Sequence, residues 1–240
     1  MDISIQPKSV VGRVGWFTRI MHAVASALRR FCPFFSIGKY YLVAQPTTEQ
    51  RLLPEKWGKG VSVQQIDHYH PLVSRLPRPR DEIIRRFAGG ALCFLATRQD
   101  RIIGHLWITQ SAYREPFHRC EYMLQPPGRT AWDFDMWITP DDRIGFVFAR
   151  LWDRCNSYLR EQGVTWTCSR VSAFNAASLK AHERLGMRVM HTLFYLGAGP
   201  VELLIADVAP FIALSFSRRK FPVIEVTPPS SLSGLTRDAR

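Results

Sequence analysis

Between Asp2 and Glu49 the chain has no acidic residue. It also has no apolar run near the ~18–20 residues that cross a bilayer, which argues against a transmembrane helix. No internal repeat is visible. The five cysteines, Cys32, Cys93, Cys120, Cys155 and Cys168, are odd in number and scattered. None has the paired spacing of a zinc site or redox motif, so no metal is expected, and reduced, buried thiols in a cytoplasmic protein are the natural reading. The shortage of acid leaves a net charge of +12, and 26 of the 32 basic residues are arginine, spread along the whole chain. Such a field attracts anionic ligands. No nucleic-acid-binding motif accompanies it, and no nucleic-acid partner is expected.

What is present divides into three parts. Residues 1–45 read as a basic N-terminal arm. Within it Phe17, Ile20, Met21, Val24, Leu28 and Phe31 keep the spacing of an amphipathic helix over 13–31, which Pro33 ends before the apolar tip Phe34-Phe35. Two fates are open to this helix: docking on its own domain, or peripheral membrane contact through residues 13–35. Residues 46–225 read as one domain, and residues 226–240 as a disordered tail. In the domain a strand is expected at 61–66, a short helix from Asp81-Glu82 through Phe87, and a hairpin from 91–97 and 101–109. Next come a strict alternation at 131–138, a long helix opening at Pro140-Asp141 and a strand at 164–171. A helix from Asn175 and a closing strand pair at 187–196 and 201–208 complete the order.

The stretch from Asn175 to Met187 is the most informative. At about 100° per residue, Asn175, Ser178 and His182 share one helix face, and Gly186 closes the run. Capping by Asn175 and a left-handed Gly186 would account for two of these landmarks. It leaves Ser178 and His182 on the same stripe unexplained. The spacing resembles the Asn-x-x-Ser/Ala-x-x-x-Tyr-x-x-x-Gly-Phe helix of the GNAT superfamily, the acyl-CoA-dependent N-acyltransferases. The order of elements over roughly residues 60–208, the Ile102-Ile103-Gly104 step and the Ile138-Thr139-Pro140 junction look similar too.

The resemblance implies an α/β (α+β) fold with a mixed, mostly antiparallel central sheet flanked by helices. It also implies acyl transfer from a coenzyme A or phosphopantetheine thioester to a small amine acceptor by direct attack. Acetyl-CoA or another acyl-CoA is then the co-substrate, and an acyl-carrier protein is a further candidate donor. Asn175 and Ser178 would contact the pantetheine arm, and His182, standing where the family has Tyr, would protonate the departing thiolate. Arg143 and Gly145 belong to the turn that cradles the pyrophosphate in the family. Here Phe146 and Phe148 stand where Gly or Ala is usual, so that loop departs from the pattern. Asp133 and Asp135 alternate onto one face of their strand and are candidate bases, Asp135 preferred, with Glu115 as a rival. The competing reading is a non-catalytic GNAT-like binding or membrane-peripheral scaffold.

Overall fold

The computed structural model describes residues 20, 34–54, 56–143, 145–216 and 220–230. The amphipathic helix expected at 13–31 and the last ten residues of the expected tail lie outside these, apart from Ile20. Among the described residues, twelve strands and three α-helices give a mixed, mostly antiparallel α/β fold. The chain divides into two compact units. The first combines residues up to Gln45 with Arg114–Tyr122 and Arg170–Glu225; the second combines Pro46–Tyr113, Met123–Ser169 and the residues from Val226.

The first unit begins with β1 (Phe35–Pro46), an apolar run in the segment that sequence assigned to the basic arm. It pairs antiparallel with β9 (Arg188–Ala198), which pairs with β10 (Val201–Ala206), which pairs with β11 (Ile212–Ser215). The amide of Ala173, just past β8 (Trp166–Ser172), donates to the Lys39 carbonyl of β1 at 2.9 Å. α3 (Ala176–Arg184) packs Leu179 onto Tyr41, Val43, Val171 and Ala173. It ends as the sequence implies: Gly186 adopts φ 75°, and its amide donates to the Glu183 carbonyl.

The second unit orders its antiparallel strands β2 (Ser62–Ile66), β3 (Leu92–Arg98), β4 (Arg101–Thr109) and β7 (Thr130–Ile138), with β8 parallel to β7. Successive residues of a strand point to opposite faces. Cys93 and Leu95 of β3 pack with Ile83 of α1 (Arg80–Ala88), whereas Phe94 meets Tyr158 of α2 (Val147–Glu161). α1 and α2 therefore cover opposite faces. Gly104 lets α2 come close, because a Cβ there would lie 3.0 Å from a Val147 methyl and from the Trp137 carbonyl oxygen. The short strands β5 (Tyr113–Arg114), β6 (Glu121–Leu124) and β12 (Val223–Val226) make a separate three-stranded sheet.

The long helix starts later than Pro140. Pro140–Asp142 is one 3-10 turn, because Asp142 is drawn to the Thr139 hydroxyl at 2.6 Å and to Arg98 at 2.6 Å, and regular α-helix begins only at Val147.

Candidate active site

The parallel ladder between β7 and β8 is short. It runs from Thr130↔Trp166 to Trp132↔Cys168 and stops, so Asp133 is the first β7 residue with no partner on that side. On its other side β7 carries a register shift: Trp107 opposes Asp135 while the next residue, Ile108, opposes Asp133. One extra residue on β7 breaks the strict alternation, and the expectation that Asp133 and Asp135 share a face is corrected by this bulge.

The two carboxylates meet different surroundings. Asp135 faces α1 and accepts from Arg78 Nε at 2.7 Å, Arg78 Nη2 at 2.5 Å and Arg86 Nη1 at 2.6 Å, with His105 Nε2 3.4 Å away. Arg86 also lies over the rings of Trp107 and Phe134, at 5.0 and 5.1 Å. Burial alone would raise the Asp135 pKa. The His105 ring and the two guanidiniums outweigh it and hold the carboxyl well below the usual range. An anion so tightly neutralised is a poor proton acceptor, in contrast to the expectation that prefers Asp135 as base.

Asp133 is buried, and its charge is felt by Cys155 of α2 and by Cys168. Desolvation pushes its pKa up to about 7, against a smaller opposite pull from the Ser169 hydroxyl. Its Oδ2 has no hydrogen-bond partner among the described residues. Asp133 is thus a buried carboxylate, with one oxygen lacking a partner among the described residues, placed where the ladder ends.

Glu115 is buried and bound on both oxygens by Arg170, at 3.0 and 3.2 Å. Arg170 in turn lies 3.8 Å from the Tyr40 ring centroid. Glu115, the expected rival base, is thus engaged in an ion pair within the first unit. The same unit holds a polar chain that sequence reasoning missed. His118 bridges Glu202 at 2.9 Å and the Tyr40 hydroxyl at 3.0 Å, and its ring stacks on Tyr195.

The helix of the sequence motif resolves residue by residue. Asn175 Oδ1 accepts the Ser178 amide at 3.0 Å, so Asn175 is the cap of α3. Ser178 is half-buried one turn on. His182 donates from Nδ1 to Gln45 Oε1 at 2.9 Å. Desolvation pushes its pKa down to about 4, so the ring is neutral at pH 7. Burial works against the cation that the expected acid role needs near neutrality.

At the start of α2, Arg143 donates from Nε to the Ile138 carbonyl at 3.3 Å and is otherwise exposed. The Gly145 amide is taken by the Asp142 carbonyl at 3.1 Å, which removes it from any cradle. Phe146, at the cap position, packs against Trp57 with ring centroids 5.7 Å apart, and Arg150 donates to the Trp57 carbonyl. Gly58, at φ 70°, makes the contact feasible, since a side chain there would press on Phe146 Cβ. Aromatic surface thus covers the helix start where an open glycine turn would admit a diphosphate.

Beside α1, a cavity of about 710 Å³ is lined by Val73, Ile83, Ile84 and Phe87 together with His68, His70, Arg78 and Arg80, and among the described residues no Asp or Glu contributes to its wall. Among the described residues, no group of three or more His, Cys, Asp or Glu side chains could hold a metal ion. No described helix is long and apolar enough to cross a membrane.

No family model matches the chain, and no curated protein matches it. Solved structures do. A tandem GNAT protein from the clavulanic acid biosynthesis pathway is similar with a TM-score of 0.47 and 14% identity, over 68% of this chain and 55% of that one. A GNAT-family acetyltransferase structure from Novosphingobium aromaticivorans gives a TM-score of 0.46 and 15% identity, over 70% and 69%. The aminoglycoside N-acetyltransferase AAC(6')-Iy in complex with CoA gives 0.41 and 17% identity, over 56% and 90%.

Proposed function

We propose that this chain is a GNAT-type N-acyltransferase that moves an acyl group from a phosphopantetheine thioester to a small amine. The observation that carries the reading is Asp133: a buried carboxylate with a pKa of about 7 and an unpartnered oxygen, one residue past the last β7–β8 pair. The Asn175–Ser178–His182 helix, with its family spacing, supports the same reading.

In this mechanism Asp133 takes a proton from the acceptor ammonium, directly or through one water. The freed nitrogen lone pair attacks the thioester carbonyl carbon. The carbon–sulfur bond breaks, the amide forms and the thiolate leaves to be protonated. Proton removal by a positioned carboxylate contributes about 10²–10⁴-fold in rate.

The covered start of α2 favours a donor that makes little demand on a diphosphate cradle. An acyl-carrier protein presents phosphopantetheine with a single phosphate, for which the exposed Arg143 side chain supplies a cation.

The decisive measurement is thiol release from matched acyl-CoA and acyl-carrier donors with an amine panel, alongside native mass spectrometry for donor binding. Release that needs both donor and amine supports the reading. No bound donor and no release with any pair rejects it in favour of a binding scaffold.

A further inference from the structure

The sheet of the first unit has one dry face and one open apolar face. On one side Tyr195 and Leu204 are 0 and 2% exposed. The other side is defined by the strand register. One row across four strands is Ile37–Leu196–Leu203–Leu214. Two residues along each strand, on the same face, comes Lys39–Phe194–Ile205–Ile212. Two residues the other way, Phe35, Ala198 and Val201 continue it. Every side chain in these rows is apolar except that of Lys39, whose ammonium sits 5.4 Å from the Phe194 ring centroid.

α3 packs on this face only at the Tyr41 and Val43 end. Beyond it Leu196 is 39% exposed, Leu214 54% and Ile212 69%, and Phe216, just past β11, is 66% exposed. Ordinary surfaces scatter such residues singly; a contiguous patch marks an interaction site.

Charge decides the kind of partner. The rows contain no carboxylate, and Lys39 lies among them. In sequence, the stretch before β1 is basic as well, with Arg29 and Arg30 and no acid back to Asp2. A second copy would bring together two molecules that each carry a net charge of +12. An anionic lipid surface meets the same features favourably, since exposed aromatic and aliphatic side chains enter the headgroup boundary while basic residues meet lipid phosphate.

We propose that this face of the β1–β9–β10–β11 sheet is a peripheral contact for anionic membrane. The inference does not depend on acyl transfer. The test is co-sedimentation of the full chain with phosphatidylcholine vesicles, and with the same vesicles containing about 30% phosphatidylglycerol. Binding is expected to the anionic vesicles, weakened by salt, and reduced about 10-fold or more in Leu214→Glu. Phe216→Trp, which keeps the patch apolar, is expected to bind as the parent does and to shift its emission to the blue on contact. That readout holds even if Leu214→Glu does not fold.

Three results overturn the proposal. Binding to neither vesicle, or equal binding by folded Leu214→Glu, places any lipid contact elsewhere. A dimer in light scattering that Leu214→Glu splits makes the face an interface between copies. No vesicle binding together with a lowered unfolding temperature in Leu214→Glu makes it a docking face for the chain's own N-terminal residues.

Discussion

Asp133 and Asp135 stand two residues apart on one strand, yet one carboxylate is held by two arginines and the other has an oxygen with no partner among the described residues. The bulge opposite Trp107 and Ile108 separates them. Asp133→Asn is therefore expected to lower kcat about 10²–10⁴-fold. In the parent, kcat/KM should rise through pH about 7 as the carboxylate ionises, and this limb should vanish in the variant. The same substitution should raise stability at pH 8. A carboxyl whose pKa is raised by folding favours the fold when protonated, and that advantage is lost as pH rises from the ordinary aspartate range through about 7. A variant that loses activity while gaining urea resistance at high pH would separate a catalytic base from a packing residue.

Asp135 gives the opposite signature. Asp135→Ala leaves Arg78 and Arg86 without their shared anion, and breaking such a buried pair costs about 3–5 kcal/mol. The folded pKa lies below the unfolded one, so this stability is present above the unfolded value and is lost as pH falls toward the folded one. Urea midpoints at pH 7 and pH 3 should converge in Asp135→Ala relative to the parent. In whatever fraction stays folded, the activity limb near pH 7 should be retained.

Much of this was readable in advance, for a physical reason. The hairpin of β3 and β4, the strand β7 and the α3 cap depend on neighbours in sequence, and periodicity reports neighbours. The Gly186 turn was legible for the same reason. Pairings across long separations were not. Arg78 and Arg86 reach Asp135 over 57 and 49 residues, and a run of arginines looks the same in sequence whether it is solvated or buried. The bulge on β7 leaves the alternation of residue types untouched while turning Asp133 and Asp135 apart. β1 was hidden in a basic stretch, although the run from Tyr40 to Ala44 carries strand-forming residues that could have revealed it.

His182 is expected to remain neutral throughout the activity range. Its folded pKa of about 4 lies below the ordinary histidine value, so the unfolded chain takes up a proton that the fold refuses. Stability should fall as pH drops through about 6.5 toward 4, and His182→Gln should remove that part of the fall. The ring proton signals of His182 in an NMR titration should stay flat from pH 8 to about 5. A midpoint near 6.5 would restore the acid role that the family spacing suggests.

Asn175 separates the capping role from the binding role at a single side chain. Its Oδ1 takes the Ser178 amide, and Nδ2 is left to donate elsewhere. Asn175→Ala should cost about 1 kcal/mol through the lost cap, read as a lower urea midpoint. Asn175→Asp keeps an acceptor at the cap and should restore most of that stability, but it has no amide donor. If the side chain also holds the pantetheine arm, Asn175→Asp should raise the donor KM about 3–10-fold with kcat little changed, the range expected for one hydrogen bond. An Asp variant with both stability and donor KM at parental values would leave α3 with a cap alone, and would move the pantetheine contact to Ser178 or off this helix.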